Sequence, residues 1–343
     1  MAVQPPTPRT ELHRHLDVSL RMTTLLELSQ AKGLVGESTS LESFQEKLWL
    51  RRPMKDLAEV LAKFTLFQQV LERPEDLERV AFEAVEDCWA EGIRQVELRY
   101  SPSFVCEDGS LTWQESLEAF HRGLERALEN LPEMRAGLLL IASRDYGPDS
   151  AAQTVELYLK NLHRVAGIDL AGNEAAFPPR LFTEAFRPVG AAKAKTPHQI
   201  HVTVHAGEAA GPESVWEALE LLAAERIGHG IRAFEDPELV RHFLEKEICL
   251  EMCPTSNWVT RAVPSLAQHP LKQALEAGIA ATISTDDPSI FGVSLDDEIQ
   301  VARQAIGLSE SQVQLSFEHA ARSTFLPQQA PPTKIASPLP KES

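Results

Sequence analysis

Short apolar runs recur along the chain and predict eight β-strands. They span Glu11–His15, Gln95–Tyr100, Gly137–Ser143, Val165–Leu170, Gln199–His205, Arg226–His229, Ile248–Met252 and Ala280–Thr285. Segments with helical periodicity separate most of these runs, at 75–90, 113–128, 150–161, 212–224, 237–245 and 270–276. Because strands that alternate with helices pair in parallel, eight of them are typical of a closed barrel. The pattern therefore predicts an α/β fold, a (β/α)8 TIM-type barrel.

The alternative architecture is an open, doubly wound sheet. Such a sheet places a Gly-rich phosphate-binding turn after an early strand, whereas the first predicted strand continues into HLDVSLR. We therefore favour the barrel. About 80 residues separate its first two strands, which is too many for one crossover helix. We expect a helical insertion at about 18–94, over the barrel mouth.

Three segments follow from this interpretation. Residues 1–10 are expected to be a flexible N-terminus, and residues 11–325 a single catalytic domain. The tail at 326–343 holds five prolines in eighteen residues and no periodicity, so we expect it to be disordered.

Composition excludes several classes of function. The chain has 343 residues with 33 Lys and Arg against 50 Asp and Glu, and the formal charge of −17 disfavours nucleic-acid and membrane partners. No apolar run approaches the ~20 residues of a membrane helix, and the N-terminus lacks the apolar stretch of a secretory signal. The four cysteines form no CxxC pair and are expected to be reduced. We expect a cytoplasmic protein, and the sequence predicts no particular oligomeric state.

Histidines and carboxylates lie at or just after the C-terminal ends of the predicted strands. They are His13 and His15 in LHRHLD, His205 and Glu208 in HVTVHAGE, His229 in ERIGHG, and Asp286 and Asp287 in STDDP. Each motif alone has a structural explanation, such as paired core histidines or a solvated turn. In a barrel, however, these strand ends meet at one mouth, where active sites of this architecture lie. We therefore expect one shared site.

Three imidazoles and one carboxylate suit zinc, and the expected ligands are His13, His15, His205 and Asp286. A zinc ion with one position open to water can lower the pKa of that water to about 7. Glu208 and His229 then remain as an acid and a base, which is the equipment of a hydrolase. His201 lies deeper in its predicted strand and is interpreted as structural. A site for two metals is not expected, because residues 170–172 offer no bridging Lys.

The motifs LHRHLD, HVTVHAGE, ERIGHG, CPTSN and STDDP, in this order, resemble those of the zinc-dependent adenosine deaminases of the amidohydrolase superfamily. The similarity runs over residues 11–326, and it implies one Zn²⁺ per chain on the four expected ligands. It further implies attack of zinc hydroxide on C6 of adenosine or 2′-deoxyadenosine, giving inosine or deoxyinosine and ammonia. Glu208 would protonate purine N1, His229 would orient the attacking water, and Asp287 would contact N7. The backbone amide of Gly172, in DLAGNE, would meet N3.

The resemblance also assigns a substrate contact to Asp17. Adenosine deaminases carry Asp here to bind the ribose 5′-hydroxyl, whereas related adenine deaminases typically carry Glu. The structural alternative is a helix N-cap. Two positions depart from the family pattern, since Val18 replaces a glycine and Asn173 replaces an aspartate. Val disfavours positive φ and adds bulk, which bears on the fit of the sugar, and Asn173 removes a charge that could tune rate or pH optimum.

Within the insertion, DLAEVLAKFTLFQQVL has apolar residues at helical spacing. Core packing is one interpretation. The functional one is that Leu61 and Phe64 form an apolar lid over the purine. Two further functions stay open: deamination of adenine or another 6-aminopurine derivative, and non-catalytic binding of a purine nucleoside.

Overall fold

Eight short parallel strands form the centre of the fold. The computed structural model describes residues 8–327, and its strands are Arg9–His15 (β1), Ile93–Tyr100 (β2), Arg135–Ser143 (β3), Val165–Ala171 (β4), Thr203–Ala206 (β5), Arg226–His229 (β6), Cys249–Met252 (β7) and Ala281–Ile283 (β8). They form two four-stranded sheets in the orders β1-β2-β3-β4 and β5-β6-β7-β8. Parallel bridges between Ile168 and Val202 and between Arg14 and Asp286 join the two sheets at both edges. The predicted closed (β/α)8 barrel is confirmed.

Eight helices connect or follow the strands around the outside of the barrel. They are Pro74–Ala90 (α5), Trp113–Asn130 (α7), Gly147–Lys160 (α8), Thr183–Lys193 (α9), Pro212–Leu221 (α10), Pro237–Lys246 (α11), Leu271–Ala277 (α13) and Glu310–Ser323 (α16). Local sequence fixes several helix starts. Pro74, Pro212 and Pro237 occupy the first turns of their helices, where a missing N–H costs nothing. Thr112 and Glu115 form a reciprocal capping box at the start of α7.

Eight further helices lie within the described residues. Four precede α5 in the segment after β1, at Met22–Ala31 (α1), Leu41–Leu48 (α2), Leu57–Leu61 (α3) and Thr65–Gln68 (α4). The others are Pro102–Val105 (α6), Pro254–Val259 (α12), Pro288–Phe291 (α14) and Leu295–Val301 (α15). Single-turn 3₁₀ helices occur at Leu16–Val18, Arg144–Tyr146, Pro179–Phe182, Ile231–Glu235 and Leu266–Gln268, and a π-helical turn at Ala302–Ile306. Because α5 is itself the first crossover helix, the inserted helices are α1 to α4.

Some boundaries differ from the sequence-based ones. The fifth strand begins at Thr203 instead of residue 199, because the backbone N–H of Gln199 donates a hydrogen bond to the carbonyl oxygen of Thr196 and forms a turn there. Arg9 already lies in β1, and Leu326 is buried, so ordered packing extends beyond the expected ends of the domain. The expected flexible N-terminus and disordered tail otherwise lie outside the described residues. No helix of the described part combines the length and apolarity of a membrane span, and all four cysteines are buried free thiols.

The interior of the barrel holds a column of ion pairs as well as apolar side chains. Glu97 and Arg226 lie 2.5 Å apart, and Arg226 continues to Glu251 at 2.7 Å. Arg99 bridges Glu251 and Asp169, with nitrogen–oxygen distances of 2.7 Å to each. Removing one partner of such a buried pair typically costs about 3–5 kcal/mol. The column runs from the lower barrel toward the residues at the mouth.

Candidate active site

The four expected ligand residues converge at the C-terminal end of the barrel. Their ligand atoms, from His13, His15, His205 and Asp286, all lie within 4.8 Å of one another. Nε2 of His13 and Nε2 of His15 lie 3.1 and 3.2 Å from Oδ1 of Asp286, and the Nε2 atoms of His15 and His205 are 3.3 Å apart. Ligands bound at 2.0–2.1 Å to a tetrahedral ion lie about 3.3 Å apart. The donor set therefore fits one metal ion.

The protonation states of His205 and Asp286 also suit a cation. Burial lowers the pKa of His205 to about 3, so its imidazole is neutral. Burial opposes ionisation of Asp286, yet the neighbouring His13 and His15 hold its pKa well below the usual value. The buried Nε2 of His13 makes no hydrogen bond of acceptable geometry with the described residues, although Asp286 lies close to it. Neutral imidazoles and an ionised carboxylate are the forms that bind a metal. Burial opposes protonation of His15, yet the carboxylates of Asp287 and Asp286 raise its pKa to about 9, so a metal that binds there displaces a proton from this ring.

Carboxylates inside the barrel orient two of these imidazoles. Nδ1 of His13 lies 2.8 Å from Oε2 of Glu251, and Nδ1 of His205 lies 3.0 Å from Oδ2 of Asp169. Both carboxylates pair with Arg99. Such partners fix the tautomer and direction of a metal-binding histidine. Sequence reasoning missed both, although a single carboxylate within an apolar strand was a usable signal.

Unusual backbone geometry marks two residues of the site. His229 and Asp286 have φ angles of 63° and 64°, in the left-handed region that non-glycine residues rarely adopt. A side chain at the neighbouring Gly228 would be crowded, since a Cβ there would lie 3.1 Å from the ring of His13 and 3.2 Å from Cα of His205. Strained residues of this kind concentrate at functional sites, where the surrounding structure holds them.

Glu208 faces the same mouth as a buried acid. Burial, reinforced by the Asp286 carboxylate, raises the pKa of Glu208 to about 8. Its Oε1 accepts a hydrogen bond from the Thr260 hydroxyl at 2.9 Å, and its Oε2 lies 3.6 Å from Nε2 of His229. The carboxyl group is therefore mostly protonated at neutral pH and can donate a proton.

Glu174 positions the turn that carries Glu208. Its carboxylate accepts hydrogen bonds from the four successive backbone N–H groups of residues 207–210, at 2.6–3.1 Å. The hydroxyl of Ser214 donates a fifth, at 2.6 Å. Five donors on one buried carboxylate fix the backbone just after His205. The sequence analysis assigned a role to Gly172 of the DLAGNE motif but none to Glu174.

Asp287 lies beside the ligand set with one unpaired oxygen. Burial and the adjacent Asp286 raise its pKa well above the ordinary value, which favours the protonated acid. Its buried Oδ1 has no hydrogen-bond partner in the described part of the chain. A buried polar atom without a partner is costly, and a ligand that bonds to it removes the cost.

A small cavity connects these groups with the insertion. Its lining includes the residues expected to cover or contact the purine together with the catalytic candidates, namely Leu61, Phe64, Gly172, His205, Glu208, His229, Asp286 and Asp287. The cavity volume is about 40 Å³, far below the ~300 Å³ of the smaller ligand pockets. Phe64 also contacts Phe104 edge to face, with ring centroids 6.5 Å apart. Residues of α3 and the N-cap residue of α4 thus narrow the barrel mouth.

Asp17 lies in the 3₁₀ turn after β1 and does not line this cavity. Its Oδ2 accepts a hydrogen bond from the backbone N–H of Ser101 at 2.9 Å, and burial raises its pKa to about 6. The alternative role as a helix N-cap is wrong, because Arg21 occupies the N-cap position of α1.

The structure accommodates both departures from the family pattern, Val18 and Asn173, without conflict. Val18 is fully buried and does not have a positive φ angle, so the backbone conflict expected for valine does not arise. Asn173 uses its side-chain oxygen to accept a hydrogen bond from the N–H of Ala176 at 3.2 Å. An asparagine fills that capping position as an aspartate would.

Comparison with known proteins agrees with the geometry. The family model described as adenosine deaminase matches residues 8–338. The adenosine deaminase of Edwardsiella ictaluri is 40% identical over 319 residues, covering 93% of this chain and 94% of that protein. Among solved structures, the adenine deaminase of Arthrobacter aurescens superposes with a TM-score of 0.82 at 28% identity, covering 94% of each chain. The Arabidopsis protein ADAL, complexed with GMP, gives 0.78 at 29% identity, covering 93% of this chain and 92% of that one. The chain belongs to the adenosine deaminase family.

Proposed function

We propose that this protein catalyses the hydrolytic deamination of adenosine and 2′-deoxyadenosine. Water replaces the amino group at C6 of the purine, and the products are inosine or deoxyinosine and ammonia. The observation that carries this proposal is the position of Glu208, a buried acid with a pKa of about 8, in one cavity with His205 and Asp286. A proton donor beside a metal site is the combination that this reaction requires.

We assign one Zn²⁺ per chain to His13, His15, His205 and Asp286. Three imidazole nitrogens and one carboxylate oxygen form a donor set that zinc favours, and their spacing suits a tetrahedral ion. When bound, zinc supplies the Lewis acidity that makes water a nucleophile at neutral pH.

The protein's own groups then act on the two sides of the purine. Glu208, protonated at neutral pH, donates a proton to N1 and thereby makes C6 more electrophilic. His229 orients the attacking water, and Asp287, whose raised pKa favours the protonated carboxyl, donates a hydrogen bond to N7. On the opposite edge of the ring, the backbone amide of Gly172 contacts N3. Leu61 and Phe64 cover the purine and exclude bulk water from the reacting carbon.

A substrate panel on metal-analysed protein tests the proposed function. Purified protein with about one zinc per chain is expected to convert adenosine to inosine, with release of ammonia and loss of absorbance near the adenine band. Stoichiometric zinc without turnover of adenosine, 2′-deoxyadenosine or adenine would overturn the proposal and leave non-catalytic nucleoside binding as the alternative.

The first prediction concerns the partner of His205. Changing Asp169 to Asn removes the carboxylate that holds Nδ1 of His205 and is expected to weaken zinc affinity about 10–100-fold. Competition with a chromogenic chelator measures this change. The matched control is Glu225→Gln, at a second histidine–carboxylate pair that lies away from the ligand set. There Nδ1 of His201 lies 2.7 Å from Glu225, and the imidazole ring stacks on Phe325. Equal zinc affinity in both variants would contradict the assignment.

A second candidate function is deamination of free adenine, favoured by the likeness to the Arthrobacter adenine deaminase. The role of Asp17 distinguishes deamination of adenosine from deamination of adenine. If its buried carboxyl group binds the ribose 5′-hydroxyl, kcat/KM for adenosine is expected to exceed that for adenine by about 10⁴-fold. Asp17→Ala is expected to lower kcat/KM for adenosine and to leave the value for adenine little changed. A protein that prefers adenine, or a variant that loses both activities equally, would overturn this assignment.

A further inference from the structure

A line of buried hydrogen-bonding groups leads from the start of α13 to His229. The backbone nitrogen of Leu271 lies 3.2 Å from Nδ1 of His269, and Nε2 of His269 lies 3.1 Å from Oδ1 of Asn257. Nδ2 of Asn257 lies 3.0 Å from Nδ1 of His229. The remaining nitrogen of His229, Nε2, faces the cavity, 3.6 Å from Glu208.

The direction of every bond in this line follows from its first member. A backbone N–H can only donate, so Nδ1 of His269 accepts and the proton of its neutral ring lies on Nε2. Burial lowers the pKa of His269 to about 3, which excludes a second proton on that ring. Nε2–H of His269 donates to Asn257, and the amide must therefore present its oxygen to His269 and its NH₂ group to His229. Nδ1 of His229 accepts that bond, so a neutral His229 carries its proton on Nε2.

An asparagine without this neighbour would not specify the tautomer. Its amide can rotate by 180° and exchange the donor and acceptor that it presents, and His229 would then adopt either tautomer. His269 removes that freedom, because only the amide oxygen can accept its N–H. Both side chains lie outside the metal ligand set, and both are buried, so water does not compete for these bonds.

We propose that Asn257 and His269 are positioning residues that fix His229 as the Nε2–H tautomer. His229 then presents an N–H group to the reacting oxygen and acts as a hydrogen-bond donor. The inference rests on the proposed deamination for its effect on rate. The tautomer itself is set by the contacts of the folded chain and can be observed without substrate.

Nitrogen NMR of the zinc-loaded protein, labelled at histidine, tests the tautomer directly. The signals of His229 are identified by their absence from a His229→Asn variant. The expected result is an unprotonated Nδ1 and a protonated Nε2. Observation of the proton on Nδ1 would overturn the proposal whatever the activity of the protein. Absence of deaminase activity with the expected tautomer would instead count against the proposed function alone.

Two substitutions link the tautomer to catalysis. Asn257→Asp replaces the donor to His229 by an acceptor of the same shape and is expected to move the proton to Nδ1. It should lower kcat about 10²-fold, with the KM for adenosine and the zinc content unchanged. His269→Leu removes the group that orients the amide and should also lower kcat. His269→Gln keeps an N–H donor near the position of Nε2 and should recover most of that loss. A retained kcat in Asn257→Asp with a displaced proton, or no recovery in a folded His269→Gln, would contradict the positioning role.

Discussion

Replacing Glu208 with Gln is expected to lower kcat for adenosine by about 10³-fold and to leave the zinc content at one per chain. The substitution keeps the size of the side chain and removes the acidic proton, and positioned acid–base groups typically contribute about 10²- to 10⁴-fold. Because Glu208 is not a metal ligand, the ion should remain bound. Steady-state kinetics and metal analysis on the same preparation measure both results.

The raised pKa of Glu208 predicts that kcat/KM falls at alkaline pH. Burial disfavours the ionised carboxylate and raises the pKa of Glu208 to about 8, so the carboxyl group keeps its proton at lower pH. The protonated form is the active one. Accordingly, kcat/KM is expected to fall as the pH rises through about 8, and the residual activity of Glu208→Gln should lack that decline.

Glu298 provides a matched control for this experiment. It is another buried glutamate whose pKa burial raises to about 8, and it accepts a hydrogen bond from the backbone N–H of Thr255 at 3.2 Å. It does not line the cavity. Glu298→Gln is therefore expected to retain near-normal kcat. If both Gln variants lose the same activity, general sensitivity of buried acids explains the loss, and the role assigned to Glu208 is wrong.

Replacing Asp286 with Ala is expected to abolish zinc retention and activity together. The change deletes the carboxylate of the ligand set, whose Oδ1 lies 3.1 Å and 3.2 Å from Nε2 of His13 and Nε2 of His15. A catalytic metal contributes several kcal/mol to transition-state stabilisation, so a loss in kcat of at least about 10³-fold is expected. Metal analysis after dialysis against a chelator, followed by an activity assay, measures both effects.

The adjacent aspartate separates ligand loss from substrate loss. Asp287→Asn is expected to keep its zinc and to lose activity, because Asp287 is assigned to purine N7 and not to the metal. The two variants should therefore differ in metal content while both are impaired. Full zinc in Asp286→Ala, or absence of zinc from Asp287→Asn, would show that the two roles have been assigned wrongly.

The sequence predicted those site residues that belong to a short motif at the C-terminal end of a strand. His13 and His15 alternate along β1, and Asp286 and Asp287 follow β8, so the closed barrel brings them to one mouth. Glu174 and Glu251 were not predicted, because their roles depend on partners far away in the chain. Glu174, for example, bonds to a turn more than thirty residues later. No local periodicity encodes such contacts.

The departures from the family pattern show a different limit. Valine at position 18 suggested a backbone conflict because glycine there often indicates positive φ. The backbone does not adopt positive φ at this residue, and Val18 packs in the core. Conversely, His229 and Asp286 adopt positive φ angles that the sequence analysis did not predict.

The narrowness of the space at the barrel mouth has a consequence for turnover. A cavity of about 40 Å³ is smaller than a nucleoside, so we expect helix α3 and the start of α4, which line it, to move outward when substrate enters. Gating of this kind is commonly slower than bond breaking and can limit kcat. The kcat of this protein would then depend on the flexibility of the residues that connect the inserted helices to the barrel, which are remote from any reacting atom.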